Sequence, residues 1–229
     1  RGALVGIEAV TPEGLKDVYK DFNLAGEELV ERLQTFREHG VYILGSFIFG
    51  LPSDRPDTFK ATADLAKRAD ITFAQFVTLT PFPGTLDFEK WEREQGNDIE
   101  KVDGVPVSRH WLIPQESRPK LLTPHPVMSG EEIRQGTQQV WNSFYSLKAS
   151  WQRSNILKSI RNRLIFLVAS KVMLQAFGNT GLSTDSARAS RATKLGGIGF
   201  SLLQKMFAAQ PMPELEVPET PSAPTALAS

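Results

Sequence analysis

The sequence predicts an α/β protein in which a parallel sheet is followed by an α-helical extension and a disordered tail. Three short apolar stretches, residues 3–7, 41–49 and 73–79, alternate with stretches of helical periodicity. Their starts lie roughly 30 to 40 residues apart, the spacing of strand–helix–strand units in parallel sheets. Because these strands are apolar on both faces, we expect helices to cover both sides of the sheet.

Two amphipathic helices are predicted between the strands. The first spans residues 26–39, where Leu29, Leu33 and Phe36 recur at helical spacing and Gly40 follows as a natural stop. The second starts at Pro56 and runs to residue 69, because proline suits the first position of a helix. Its apolar face consists of Phe59, Ala63 and Ala66.

The pattern changes after residue 84. Residues 86–95 predict a charged, exposed helix, and five prolines make residues 98–127 irregular. Ser129 and Glu132 form a capping box that opens a helix through Phe144. A second C-terminal helix is expected over 155–177 and a shorter one near 200–208. We therefore divide the chain into an α/β part (1–97), an irregular and helical extension (98–208) and a disordered tail (209–229).

Composition limits the partners that we expect. Lys plus Arg and Asp plus Glu each number 26 in the 229 residues, so nothing indicates a nucleic-acid partner. The chain has no cysteine, which removes thiolate metal ligands and fits a cytoplasmic location. The basic side of 155–177 would suit peripheral contact with a membrane, although a solvated helix face explains it more simply. The chain begins directly in an apolar stretch, so we expect it to be a piece of a longer protein.

A candidate site is predicted where the strands end. Ligands of parallel α/β proteins bind at the carboxyl ends of the strands. Here those ends carry Glu8, a turn at 50–54 and a turn at 80–84. Each has a structural alternative. Glu8 would cap the next helix. Gly50 would be needed only because the turn requires a backbone conformation that other residues rarely adopt. The turn at 80–84 could likewise be purely structural.

Other chemistries find little support in the sequence. His39, His110 and His125 are scattered, and structural or solvated roles are expected for them. The chain contains no nucleophile elbow, Walker loop, dinucleotide-binding glycine motif or zinc-protease motif. We therefore expect no metal ligand in this chain.

Three segments resemble, in order and spacing, the fourth, fifth and sixth strand regions of radical S-adenosylmethionine (SAM) enzymes. They are ALVGIEAVTPEGLKDVYKDFN, GSFIFGLPSDRPDTF and TLTPFPGTLDFEKWE. The later stretches PHPVMSGEEIRQGTQQVWNSFYS and GNTGLSTDSARAS are similar to the helical extension of the subclass that carries a cobalamin-binding domain. The resemblance covers roughly residues 1–190. It implies a partial TIM-like (β/α)6 barrel, of which residues 1–97 would be the C-terminal half.

The resemblance also implies which residues bind SAM on the first of these strands. Gly6-Ile7-Glu8 aligns with a Gly-x-Glu element whose Glu typically contacts SAM. Asn23 falls where relatives often carry an Asn, with a polar role near the SAM ribose. Ala9 stands where the family often has Ser.

The next two strands would supply the adenine side of the site. Ser46 and Gly50 are the first and last residues of the fifth-strand motif, and Ser46 stands where the family has Gly. Ile48 and the Gly50 backbone would pack against adenine, and Thr80 and Pro81 would line the adenine or substrate side. These contacts come from the resemblance alone.

The resemblance implies cofactors that this chain does not hold by itself. The family binds an iron–sulfur cluster through a Cys-x-x-x-Cys-x-x-Cys loop after its first strand, and this chain has neither that loop nor a cobalamin-binding domain. We expect the missing N-terminal barrel half in cis or on a partner chain, and the chain alone to be inactive. The complete enzyme would generate a 5′-deoxyadenosyl radical for methyl transfer or oxidative rearrangement of an unknown small-molecule or lipid-like substrate.

Two further hypotheses stay open. The chain could be a non-catalytic α/β fragment that acts as a binding or scaffold module, with exposed sheet edges that favour aggregation. It could also be a complete small α/β enzyme of unrelated chemistry.

Overall fold

The structure is a computed structural model that describes residues 2–23, 25–114, 117–119 and 123–178. The strands are β1 Gly2–Glu8, β2 Tyr42–Phe49, β3 Phe73–Thr78, β4 Lys101–Val102 and β5 Val105–Pro106. The helices are α1 Pro12–Asp17, α2 Gly26–Glu38, α3 Pro56–Arg68, α4 Leu86–Gln95, α5 Gly130–Phe144, α6 Leu147–Arg153 and α7 Ile160–Phe177. The strands β1–β3 and the helices α2, α3 and α4 lie within one residue of their predicted bounds.

Strands β1, β2 and β3 form a parallel sheet in that order, with β2 in the centre. Leu4 of β1 opposes Leu44 of β2, and Phe47 of β2 opposes Phe76 of β3. The pairing of β1 shifts between Gly6 and Glu8, which leaves Ile7 as a bulge at the end of the strand. The predicted α/β class is confirmed, and the described residues form an open three-stranded sheet without barrel closure.

One face of the sheet carries the main hydrophobic core, together with α2, α3 and α5. The rings of Phe47 and Phe76 stack with centroids 5.2 Å apart. Phe49 packs on Phe59 of α3 at 4.7 Å, and Trp141 of α5 meets Phe76 edge-on. Burial of each phenylalanine contributes about 1.5–3 kcal/mol. This aromatic layer therefore fixes the strands against the helices.

The opposite face is covered only at the amino-terminal end of the strands. There Phe73 packs on Phe166 of α7, with ring centroids 5.1 Å apart. At the same level on β1, Leu4 is 68% exposed, and farther along β3 Val77 is 39% exposed. Within the described residues, the prediction that helices cover both sides therefore holds only in part, because α2, α3 and α5 share one side and α7 covers only part of the other.

Side chains of α5 and of the residue that follows it seal the outer edge of β3. The Tyr145 hydroxyl accepts from the Ala74 N–H at 3.0 Å and donates to the Ala74 carbonyl at 2.7 Å. Trp141 Nε1 donates to the Phe76 carbonyl at 2.9 Å. Both side chains are buried, so water does not compete for these bonds. An edge strand usually offers free backbone groups to another strand, and β3 is closed to such pairing here.

Arg153 of α6 packs against the last residue of α5, Phe144. Its guanidinium lies 3.7 Å from the centre of the Phe144 ring and donates to the Phe144 carbonyl at 2.7 Å. Burial lowers the pKa of Arg153 to about 10. The end of α5 is thus held by a buried cation as well as by the sheet.

The chain after residue 84 differs from the prediction in three places. The helix expected over 155–177 begins only at Ile160, after α6 and a 3-10 turn at Ser154–Ile156 that the sequence did not indicate. The stretch 98–127 is not wholly irregular, because β4 and β5 pair antiparallel within it. Helix α4 is not simply exposed, since Phe88 and Trp91 are buried. The capping box of Ser129 and Glu132 is confirmed.

Other predictions lie outside the described residues. They are the helix near 200–208 and the tail at 209–229. The Gly-, Ser- and Thr-rich composition of residues 178–187 also predicts a joint between helices, of which only residue 178 is described. The division into parts at 1–97, 98–208 and 209–229 stays a prediction.

Tyr145→Phe is expected to lower the free energy of unfolding by about 2–4 kcal/mol, because two buried backbone groups of Ala74 lose their partner. Urea unfolding followed by circular dichroism measures the change. Tyr19→Phe is the matched control, since Tyr19 is 70% exposed. Equal stability of the two variants would contradict a sealed edge at β3.

Candidate functional site

A cleft of about 910 Å³ lies at the carboxyl ends of the three parallel strands. Glu8, Ile48 and Thr80 line it, and each comes from the end of a different strand. Helix α4 contributes Asp87, Lys90, Trp91 and Glu94 to the lining. The volume falls in the range of about 300–1,000 Å³ that is common for small-molecule sites. The cleft is therefore large enough for a nucleoside-sized ligand.

An ion pair holds the end of β1 in the cleft. Lys20 donates to Glu8 Oε1 at 2.9 Å and to the Gly6 carbonyl at 3.2 Å. Glu8 has φ 65°, a left-handed conformation that is uncommon for a residue with a side chain. The alternative role of Glu8 as a helix cap is wrong, because the Thr11 hydroxyl caps α1 by accepting from the Gly14 N–H.

Gly6 leaves the space that the Glu8 carboxylate occupies. A methyl group on Gly6 would lie 2.5 Å from Glu8 Oε1 and 3.2 Å from Lys20 Nζ. A methyl group on Gly2, in the same strand, would have its nearest neighbour at 3.6 Å. The position of the carboxylate thus depends on a glycine two residues before it.

Gly50 turns the chain at the end of β2. Its φ is 91°, which other residues rarely adopt. Asp54 Oδ2 accepts from the N–H groups of Gly50 at 2.8 Å and Leu51 at 3.0 Å. Burial raises the pKa of Asp54, and these two N–H groups oppose that rise. The turn alone accounts for a glycine here, and contact of its backbone with adenine stays a prediction.

His125 fastens this turn to the extension. Its Nδ1 accepts from the N–H groups of Val127 and Met128 at 3.1 and 2.9 Å. The proton is therefore assigned to Nε2, which donates to the Leu51 carbonyl at 2.9 Å. The structure gives His125 the structural role that the sequence indicates for it.

The third segment that lines the cleft, after the end of β1 and the turn that follows β2, leads from β3 into α4. The Leu79 N–H donates to the Phe49 carbonyl at 2.7 Å, and Thr80 Oγ1 donates to the Thr78 carbonyl at 3.1 Å. Thr85 then caps α4 by accepting from the Phe88 N–H. The turn at 80–84 thus joins two walls of one cleft.

The cleft brings together four of the seven predicted site residues, namely Glu8, Ile48, Thr80 and Pro81. Ser46, Asn23 and Gly50 do not line it. Ser46 accepts from Gln75 Nε2 at 3.0 Å and so positions a residue that does. The Asn23 N–H donates to the Lys20 carbonyl at 2.8 Å, close to the ion pair of β1. Ligand contact stays a prediction for all seven.

Sequence reasoning missed several residues of the lining, including Lys20, Gln75 and Trp91. Gln75 carried a usable signal, because it is a polar residue within an otherwise apolar strand. Lys20 lies just after the short helix α1, and Trp91 lies on α4. In neither segment does a local pattern indicate which side chains face the sheet. Across the described ranges, no group of three or more His, Asp or Glu side chains is placed to hold a metal ion.

The fold and the cleft define an α/β protein with a candidate ligand site at the carboxyl ends of parallel strands. No family model matches the chain. It is 30% identical to an uncharacterized methyltransferase of Pyrococcus horikoshii over 145 residues, 61% of this chain and 28% of that protein. It is 38% identical to the bacteriochlorophyllide d C-12(1)-methyltransferase of Chlorobaculum tepidum over 101 residues, 43% of this chain and 22% of that protein. It is 28% identical to the hopanoid C-2 methylase of Rhodopseudomonas palustris over 90 residues, 39% of this chain and 17% of that protein.

These matches confirm the resemblance as partial homology to the B12-binding radical SAM methyltransferases. The chain spans 28% or less of the length of these relatives. Homology therefore extends to one part of those enzymes.

Asp54→Ala is expected to lower the free energy of unfolding by about 2–4 kcal/mol, because two buried N–H groups lose their acceptor. Asp54→Asn retains an oxygen there and removes a buried charge, so we expect a loss below about 1 kcal/mol. Urea unfolding at neutral pH separates the two variants, and Asp21→Ala, at an exposed position, is the control. Equal losses for Ala and Asn would contradict the proposed role of the Asp54 oxygen.

Asp54 should also make stability depend on pH. A raised pKa in the folded state means that folding disfavours the ionised carboxyl. The stability of the parent chain relative to Asp54→Asn is therefore greatest below the ordinary pKa of 3.8 and falls as pH rises through the folded pKa. Urea unfolding of both proteins at a series of pH values from below 3.8 upward measures the difference in their free energies of unfolding. A stability of the parent relative to Asp54→Asn that increases with pH would contradict the assignment.

Proposed function

We propose that this chain forms the SAM-facing C-terminal half of the barrel of a radical SAM methyltransferase. The observation that carries the proposal is the meeting of the three resembling segments, distant in sequence, at one cleft lined by Glu8, Ile48, Thr80 and Pro81. The partial homology to proteins named as methyltransferases and a methylase favours methyl transfer over oxidative rearrangement.

The exposed parts of the sheet support a partial (β/α)6 barrel. In a TIM-like barrel, helices cover the outer face of the strands while the inner face points to the interior. Here α2, α3 and α5 lie on one side, and Leu4 and Val77 are exposed on the other. In the described part of the chain β1 pairs with β2 alone. The missing strands, in cis or on a partner chain, would therefore pair along β1.

The residues of the cleft suit SAM. Ile48 and Pro81 offer apolar contacts for adenine, and the Glu8 carboxylate is an acceptor for ribose hydroxyls or the amino group. When bound, one SAM molecule would supply a methyl group, and a second, reduced by one electron from a cluster held outside this chain, would give methionine and a 5′-deoxyadenosyl radical. The residues of this chain bind and orient SAM and limit the access of water.

The iron–sulfur cluster does not fit this chain, because the 229 residues include no cysteine. We propose that its ligands, and any cobalamin site, belong to the missing half. The coding region upstream of Arg1 tests this: three clustered cysteines in frame would support it, and their absence there and in any co-purifying chain would overturn it.

The substrate is proposed to be a small-molecule or lipid-like compound. Two relatives are named for a bacteriochlorophyllide and a hopanoid. Both names denote large ring compounds, and the exposed Leu4 and Val77 on the open sheet face would suit a largely apolar ligand. A non-catalytic binding or scaffold module remains the second candidate, favoured by the lack of cluster ligands in this chain.

Glu8→Gln is expected to weaken SAM binding at least tenfold, because hydrogen bonds to a charged group contribute about 1.5–3 kcal/mol. Isothermal titration of the chain with SAM measures the affinity. Glu13→Gln, an exposed glutamate on α1, is the matched control. Unchanged affinity for Glu8→Gln would overturn the site, and a parent chain that does not bind SAM, alone or with its missing half, would overturn the function.

Gly6→Ala is expected to weaken SAM binding because its methyl group would displace the Glu8 carboxylate. Stability should change by less than about 1 kcal/mol, since the crowded atoms end flexible side chains. Gly2→Ala, in the same strand, should leave SAM affinity unchanged. Equal affinities for the two alanine variants would indicate that the carboxylate does not touch SAM.

A further inference from the structure

The outer face of α7 carries a stripe of exposed aliphatic side chains. Ile160, Leu164 and Val168 are 61%, 53% and 54% exposed. They recur every four residues and so lie along one side of the helix. On α6, Leu147 and Trp151 are also exposed and stand four residues apart. We call these five side chains the α6–α7 surface.

The two helices form one surface because Arg163 of α7 joins them. Its guanidinium lies 3.8 Å from the centre of the Trp151 ring and donates to the Trp151 carbonyl at 3.3 Å. It also donates to Ser154 Oγ at 3.0 Å. Trp151 is therefore held beside the stripe.

The charged side chains of the segment that carries this surface are all cationic. Residues 147–178 contain no Asp or Glu, although the whole chain has as many acidic as basic residues. Their cations are Lys148, Arg153, Lys158, Arg161, Arg163 and Lys171. Arg153 is buried, whereas the other five reach solvent. At 100° per residue, Arg161 and Lys171 fall on the same side of α7 as the aliphatic stripe.

We propose that the α6–α7 surface docks on an anionic lipid bilayer. Aliphatic side chains, a tryptophan and surrounding cations are the features of a helix that lies in the membrane interface. None of the helices in the described ranges is long and apolar enough to cross a membrane, so the contact is with the bilayer surface. A second copy of the chain fits less well, because two such surfaces would bring like charges together.

This surface is separate from the SAM site. Helix α7 packs on Phe73, at the amino-terminal end of β3, whereas the cleft lies at the carboxyl ends of the strands. Changes in the surface should therefore leave SAM binding intact. Lipid binding and SAM binding can fail independently.

Co-sedimentation of the full chain with lipid vesicles tests the proposal. We expect at least tenfold stronger binding to vesicles that contain phosphatidylglycerol than to vesicles of phosphatidylcholine alone, and weaker binding in high salt. Lys158→Gln, Arg161→Gln and Lys171→Gln should each reduce binding about fivefold. Lys101→Gln, at an exposed position outside the surface, should not. Equal binding to both vesicles, or no binding, would overturn the proposal.

The apolar stripe can be tested directly because the chain has no cysteine. A spin label on Leu164→Cys should enter the acyl region of the bilayer, as measured by relaxation with oxygen and with a water-soluble nickel chelate. A label on Leu112→Cys, at a site that is 64% exposed, should stay in water. A label at 164 that also stays in water would overturn the proposal.

Two further results would assign the surface to another occupant. Concentration-dependent dimers that Leu164→Asn dissolves, without vesicle binding by the parent, would assign it to a second copy. Binding that requires deletion of residues 179–229 would assign it to the chain itself. Circular dichroism and SAM affinity confirm that each variant is folded.

Discussion

The Tyr145 hydroxyl at the outer edge of β3 is the interaction on which the arrangement of the α/β part depends. It both donates to and accepts from Ala74, so one side chain takes the place of a neighbouring strand at that residue. Trp141 extends the seal to Phe76 and also lines the cleft. The same bonds that end the sheet therefore bring α5 to the cleft. Within the described residues, the edge of the three-stranded sheet that is left for pairing is therefore that of β1.

The walls of the cleft are held by short polar contacts rather than by the packing of side chains alone. Lys20 fixes the end of β1, Asp54 fixes the turn after β2, and Gln75 is bonded to Ser46 across the sheet. Each contact lies just outside or at the rim of the site, where it can set the position of a side chain without filling the cleft. A rigid wall with a few oriented polar groups is what a cofactor with its own reactivity requires of a protein.

Local pattern was sufficient for β1–β3 and α2–α4, but it did not indicate α6, β4 or β5, nor which elements pack against one another. Periodicity and turn residues located β1–β3 because strands and capped helices are marked within a few residues. Tyr145 acts on Ala74, 71 residues away, and no local signal indicates that pairing. Trp91 was assigned to an exposed helix because the charged residues around it dominate the pattern, although one side of α4 is buried. The apolar runs of the strands indicated burial correctly on one face, but apolarity does not say which element covers a face, or whether that element lies in the same part of the chain.

The asymmetry of the two sheet edges makes completion of the sheet a competition. An upstream segment joined to Gly2 meets the β1 edge at an effective concentration that reaches the millimolar range for short connections, whereas strands of other molecules meet it at their bulk concentration. If the proposed N-terminal barrel half is covalently attached, intramolecular pairing should therefore prevail at ordinary protein concentrations. When it is supplied separately, its concentration relative to that of the chain itself decides whether β1 receives its proper neighbour or another copy of β1.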